Sequence, residues 1–196
     1  MRDDQRWMKL LEETGALQTG HFMLSSGRHS SHYVQCARAL EHPGNCSQLG
    51  VAIAAGLPQN LDCILAAPLG GLLIGYEVAR ALDVPLLFPE RDDTGTYVLR
   101  RGFRIERGSE IGIVEDVITT GRTTRELLAL VREAGAVVRA IGTIIDRTPD
   151  HLLDDAPIAS LVQLDLPTFE PSDCPQCASG QPISKPGSRP SGGARP

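Results

Sequence analysis

The stretch 111–125, IGIVEDVITTGRTTR, decides the fold. Ile111, Ile113 and Val114 are a β-branched run between glycine and charge, the composition of a strand buried on both faces. The run ends in Glu115-Asp116. Residues 119–123 then turn into a helix whose apolar positions, Leu127, Leu128, Val131 and Ala134, recur at spacings of three and four. In open α/β sheets chemistry collects at such strand-to-helix turns, where free N–H groups and the helix dipole point out of the sheet. Small residues, hydroxyls and Gly121 let the backbone wrap a phosphate closely. The acidic pair before it would repel that phosphate, so it serves sugar hydroxyls, a divalent metal or a developing positive charge.

Phosphate, ribose and a carbocation-like transition state together describe 5-phosphoribosyl 1-diphosphate. The run Glu115-Asp116-Val117-Ile118-Thr119-Thr120-Gly121 also resembles the signature of the type I phosphoribosyltransferases, and most fully that of the orotate phosphoribosyltransferases among them. The resemblance covers approximately residues 10–180 and is strongest over 99–147. It implies an α/β fold with a mostly parallel central sheet flanked by helices, and a small hood over the active site. Residues 1–170 would form one domain, with the hood drawn mainly from 16–40 and, as an open addition, 158–180. A Cys-x2-Cys segment at 171–184 and a disordered tail at 185–196 would follow.

Working outward, the 196 residues, 41% of them hydrophobic, suffice for one sizeable core. A net charge of −5 and a single Trp disfavour nucleic-acid binding. The sequence has no apolar run of about 18 residues, and the charged start MRDDQRW is no export segment. The expectation is a cytoplasmic protein without membrane partners. Five cysteines, an odd number, fit reduced thiols better than a disulfide framework.

Toward the N-terminus, Trp7, Leu10 and Leu11 read as a helix stopping near Gly15. Residues 20–34, interrupted by Ser25-Ser26-Gly27, read as a hairpin whose three histidines are either a polar surface or functional. The resembled family has a similar stretch in its hood, often with lysine at the place of Ser25; Ser25 and Tyr33 are the implied orotate contacts here. Asn45 is the expected cap of a helix over Cys46–Ala55. A strand at Cys63–Ala67 runs into Pro68-Leu69-Gly70-Gly71 and a helix bearing Leu72, Leu73, Tyr76 and Ala79. That glycine turn serves either packing or phosphate. The resemblance implies diphosphate at Gly70 and Gly71, where a lysine often stands in place of Gly70.

Val84–Phe88 reads as a strand, and residues 90–96 as either an exposed hairpin loop or a movable lid. The resemblance favours a lid, in which Arg91 is the one basic residue; Arg100, Arg101, Arg104 and Arg107 follow at its base. Beyond the central motif, Val137–Ile145 reads as a buried strand ending in Asp146-Arg147, and Ile158–Val162 as an edge strand. A guanidinium can meet a pair of acceptors in one plane, and the resemblance sets Arg147 against the base together with Thr119. Cys174 and Cys177 have zinc-site spacing, but no second pair follows. The expectation is a reduced, metal-free pair, although Cys36, Cys46, His151 or a second subunit could complete a zinc site.

No Gly-x4-Gly-Lys loop, dinucleotide fingerprint, zinc-protease helix or nucleophile elbow is present. The resemblance therefore implies orotate and 5-phosphoribosyl 1-diphosphate as substrates, with orotidine 5'-phosphate and diphosphate as products of pyrimidine (UMP) biosynthesis. Donor contacts would come from Gly70, Gly71, Arg91, Glu115, Asp116, Val117, Ile118, Thr119, Thr120, Gly121, Arg122 and Thr123. Glu115, Asp116 and Arg91 would carry catalysis. Mg²⁺ would ride on the diphosphate without a direct protein ligand, and the protein would be a homodimer. The alternatives are transfer to another base, or a non-catalytic regulator that senses the donor.

Overall fold

Short β-branched runs become strands here, and apolar residues recurring every three or four become helices. The computed structural model describes residues 3–149 and 151–186. Helix α1 (Asp3–Glu13) buries Trp7 and Leu11, and leads to an antiparallel hairpin, β1 (Leu17–Met23) and β2 (His29–Val34). Helices α2 (Ala37–Leu40) and α3 (Pro43–Ala55) follow, then β3 (Cys63–Ala66), α4 (Gly70–Leu82) and the two-residue strand β4 (Leu86–Leu87). A small hairpin pairs β5 (Glu90–Arg91) with β6 (Tyr97–Val98). The central segment is β7 (Glu110–Ile118), α5 (Arg122–Glu133) and β8 (Val137–Asp146). The chain continues through β9 (Leu152–Leu153), β10 (Ala156–Gln163), β11 (Thr168–Phe169), one 3-10 turn at Pro171–Asp173 and α6 (Pro175–Ala178).

Six strands form the main sheet in the order β4-β3-β7-β8-β10-β9, parallel except for β9. A separate sheet, β1-β2-β11, termed the hood, joins the β1-β2 hairpin to a segment 134 residues or more downstream of β2. Strand alternation divides the core in two. Val114, Ala140 and Ile144 face α1, α3 and α4, whereas Ile111, Ile113 and Ile141 face α5. Both faces of β7 and β8 are therefore dry, which explains their continuous apolar runs. On α5, Leu127, Leu128 and Val131 are buried in one stripe. At roughly 1.5–3 kcal/mol for each such side chain, that stripe fixes the helix against the sheet and thereby fixes where its first turn points.

Several local expectations change. Strand β7 does not stop before Glu115-Asp116; it pairs with β8 through Ile118↔Asp146, so the acidic pair lies inside the strand. Helix α3 begins at Pro43, not at an Asn45 cap, because the proline ring is preset for a first helical position after the extended His42. Helix α4 buries Gly71, Ile74, Gly75 and Val78 beside Ala79, leaving Leu73 and Tyr76 outward. Strand β9 pairs only with Ala156 and Pro157 at the start of β10, so Ile158–Val162 keep β8 as their one strand partner and form the edge. His21 and His29 are buried and not a polar surface. Of the expected tail, residues 187–196 lie outside the described residues. Among the described residues no helix is long and apolar enough to cross a membrane.

Candidate active site

Parallel pairing brings the carboxyl ends of β3, β7 and β8 side by side: Ala66 pairs with Val114, Glu115 with Thr143 and Ile118 with Asp146. Successive strand residues point to opposite faces, so the two carboxylates separate. Glu115 reaches the α5 side, where it accepts a hydrogen bond from the buried Thr124 hydroxyl. Asp116 reaches the α4 side: a Cβ placed on Gly70 would stand 2.5 Å from Asp116 Oδ1. Burial pushes the Glu115 carboxyl up to about 7, opposed by the Thr124 hydrogen bond and reinforced by the neighbouring Asp116. Burial also raises Asp116, against backbone hydrogen bonds that favour its charged form.

The loop after β7 leaves the exposed Thr119 and Thr120 at the sheet's end and enters α5 through Gly121, at φ 70°. Glycine takes this left-handed conformation without steric cost, and a side chain there would also strike Leu153. No side chain caps α5. Its first-turn amides, with the positive end of the helix dipole, form an anion site. The Thr120 carbonyl accepts from Arg125 Nη1 at 2.7 Å, which ties the loop to α5. Helix α4 starts likewise without a side-chain cap, at Leu69-Gly70-Gly71.

At the end of β8, buried Asp146 accepts from the Thr148 amide and hydroxyl, both at 2.8 Å, and meets His151 Nδ1 at 2.6 Å. It shapes the turn that presents Arg147. The Arg147 backbone N–H donates to Ile118 O, tying it to the end of β7, and Nη2 donates to Leu166 O at 3.0 Å. Its Nε is buried without a partner. Burial pulls the guanidinium below its usual range, although Asp165 opposes this. An unpaired buried donor on a half-buried cation is costly unless something accepts from it.

The hood is rooted at this same place. Cys36, just beyond β2, donates from Sγ to Asp116 O at 3.7 Å, and Leu164 N donates to Asp146 O on the way to β11. Burial, with Asp116 beside it, pushes the Cys36 thiol well up, so it stays a donor. Ser25 sits exposed at the hairpin tip, and Tyr33 packs on Phe22 with ring centroids 5.7 Å apart. Among the described residues no hydrogen bond joins either to Glu115, Asp116 or Arg147. Arg28 is spent within the hood, bonded to Thr168 and Glu170.

Arg91 stacks 3.6 Å above the Tyr97 ring and pairs with Glu126 at 2.6 Å. Its partners lie on the small hairpin and α5, not at the Gly70-Gly71 turn. Thr124, Glu126 and Cys36 escape sequence reading because each acts through a partner that only the fold supplies. Cys174 and Cys177 also find partners other than those expected. They face His21 and His29, while Cys36 is engaged with Asp116 and His151 with Asp146.

A phosphoribosyl transferase domain model matches residues 51–170. The orotate phosphoribosyltransferase of Thermotoga maritima is 45% identical over 182 residues, covering 92% of this chain and 97% of that protein. The protein of the same name in Erythrobacter litoralis is 42% identical over 190 residues, covering 95% and 98%. Among solved structures, orotate phosphoribosyltransferase from Aeropyrum pernix superposes with a TM-score of 0.67 at 26% identity, covering 80% of this chain and 92% of that one. The Mycobacterium tuberculosis enzyme in complex with inorganic phosphate shares the fold, with a TM-score of 0.65 at 20% identity over 84% and 97% of the two chains.

Proposed function

This chain belongs to the phosphoribosyltransferase family, and we infer that it works there as an orotate phosphoribosyltransferase of pyrimidine biosynthesis. It transfers the 5-phosphoribosyl group from its 1-diphosphate to N1 of orotate. The observation that carries this reading is the meeting, at three adjacent strand ends, of an uncapped helix start, two carboxylates and an arginine with an unpartnered buried Nε. The full-length match to proteins named for this activity supports it.

In this proposal the first-turn amides of α5 and the Thr119, Thr120 and Thr123 hydroxyls hold the 5'-phosphate. Glu115 and Asp116 approach the ribose from either face of β7 and favour the positive charge that develops on the sugar as the bond to diphosphate breaks. Diphosphate departs with the bonding electron pair over Gly70 and Gly71. N1 of orotate gives up its proton to the departing diphosphate or to solvent and forms the new bond, so no covalent enzyme intermediate is needed. Arg147 meets the planar anionic base, with Ser25 and Tyr33 above it on the hood. Positioning and electrostatics supply the rate.

The residues fit Mg²⁺, because hard carboxylate oxygen lies at the glycine turn: Asp116 is against Gly70. Bound through the donor's diphosphate, with Asp116 meeting its water shell, the ion would supply charge neutralisation of the leaving group. A homodimer is part of the proposal. It is supported by the outward apolar stripe Leu69, Leu73 and Tyr76, exposed by 84%, 58% and 58% beside that turn. Cytoplasmic residence, with small-molecule substrates and no nucleic-acid or membrane partner, completes it.

The test is product identification by mass spectrometry after incubating the protein with donor, orotate and Mg²⁺. Orotidine 5'-phosphate is expected. Its absence when another base gives a nucleotide would reassign the base, and its absence with every base, despite donor binding, would favour a donor sensor.

A further inference from the structure

The hood carries a four-ligand cluster that the transfer reaction does not use. His29 pairs with Met23 across the hairpin, and His21, in the irregular stretch between Thr19 and Phe22, brings its ring to 5.0 Å from that of His29. Strand β11 pairs Phe169 with His29, and the chain then turns so that Cys174 and Cys177 close over both rings. His21 Nε2 stands 3.1 Å from His29 Nδ1. Cys174 Sγ is 3.5 Å and Cys177 Sγ 3.6 Å from His21 Nε2, and Cys177 Sγ is 3.3 Å from His29 Nδ1. All four atoms lie within 4.8 Å of one another.

These separations are the edges of a metal tetrahedron. Zinc with nitrogen at about 2.0–2.1 Å and sulfur at about 2.3 Å places nitrogen pairs about 3.3 Å apart and nitrogen–sulfur pairs about 3.6 Å apart. The tautomer agrees. His21 Nδ1 is 2.8 Å from the Gln181 carbonyl, which can only accept, so Nδ1 carries a proton and Nε2 is the ring nitrogen turned into the cluster. That outer hydrogen bond is the usual orienting partner of a metal-bound histidine. His21, His29 and Cys174 are 3%, 6% and 2% exposed, whereas Cys177 reaches solvent and leaves an entry path. Without a metal, the two rings would share one hydrogen bond and the two thiols could offer only weak ones. One tetrahedral cation satisfies all four.

We propose that His21, His29, Cys174 and Cys177 form a structural zinc site that fastens the segment 171–184 to the hood. The segment is already aligned for this. Ser184 N donates to His21 O and Met23 N to Ser184 O, each at 2.8 Å, so the site closes a patch that includes the start of the Leu24–Arg28 turn. With four protein ligands the coordination is closed, so the metal's role is to hold the hood's shape and not to activate water.

The test is metal content of the full-length protein, purified under reducing conditions without chelator and measured by plasma mass spectrometry. Absorbance after cobalt replacement is the second reading. About one zinc per chain is expected, with the visible ligand-field and thiolate charge-transfer bands of tetrahedral cobalt. His29→Ala and Cys177→Ser should each lower zinc content at least tenfold, while His29→Cys, which keeps four ligands, should retain it. Folded wild-type protein that takes up neither zinc nor cobalt would overturn the proposal. So would full zinc content in His29→Ala, which would mean a metal held elsewhere. If a variant fails to fold, the wild-type measurements still decide, and none of them depends on which base the active site accepts.

Discussion

Asp116 and Gly70 occupy one space at the active site: a Cβ on Gly70 would come within 2.5 Å of Asp116 Oδ1 and 2.7 Å of its Cγ. The glycine thus sets where the carboxylate rests, and the helix start that would hold diphosphate is built against the group that would hold ribose. The atom it crowds is the tip of a side chain, so Gly70→Ala should fold normally and displace the carboxylate. We expect kcat/KM for the donor to fall on the order of 10–100-fold, with thermal stability nearly unchanged. Gly71→Ala is the contrast. Its Cβ would meet the Val114 carbonyl at 2.7 Å, a backbone atom that cannot swing away, and the loss should be of stability. Paired kinetics and thermal melts of the two variants check this.

The raised Glu115 carboxyl links pH to stability. Its folded value of about 7 lies above the 4.5 of the free side chain, so between these values the folded protein keeps a proton that the unfolded chain has released. Stability therefore falls as pH rises through that window, by an amount on the order of 3 kcal/mol at most. Glu115→Gln should flatten the slope, read as urea midpoints across the same range. Thr124→Val removes the hydrogen bond that opposes burial, and should move the ionisation of Glu115, and with it the acidic limb of activity, to higher pH.

Arg147 should decide between bases. Lysine keeps the charge but loses the planar fork. Arg147→Lys is expected to lower kcat/KM for orotate by about 100-fold, roughly 2–3 kcal/mol, with little change in donor affinity. Equal losses for donor and orotate would mean that Arg147 supports the fold of the 146–151 turn and does not read the base.

Arg91 is held by Glu126, and both are partly solvated, so the pair adds at most about 1 kcal/mol to stability. If Arg91 must leave Glu126 to meet diphosphate, Glu126→Gln should lower KM for the donor severalfold, while Arg91→Ala raises it. A Glu126→Gln variant with weaker donor binding would assign Arg91 to the resting hairpin alone.

The main sheet and its motif were legible because both depend on local pattern: β-branched runs, a glycine turn, and the α5 stripe of Leu127, Leu128 and Val131. The buried face of α4 was not, because Gly71 and Gly75 pack by lacking side chains while Leu73 and Tyr76 face outward. Strand β9, two residues long, is too short to carry a period, whereas β4 lies inside the 84–88 run that reads as a strand. The hood cluster was hidden by distance, since His21 and Cys174 stand 153 positions apart in the chain. Thr124 could have been suspected, since a threonine in the first turn of a helix beneath a strand-end acid has a short reach to it.

The most direct measurement is diphosphate release by the purified protein with donor and Mg²⁺, comparing orotate with uracil and hypoxanthine, and wild type with Asp116→Asn. The expected result is release that requires orotate and collapses in the variant. Release with another base but not with orotate, or donor binding with no release from any base, would contradict the account.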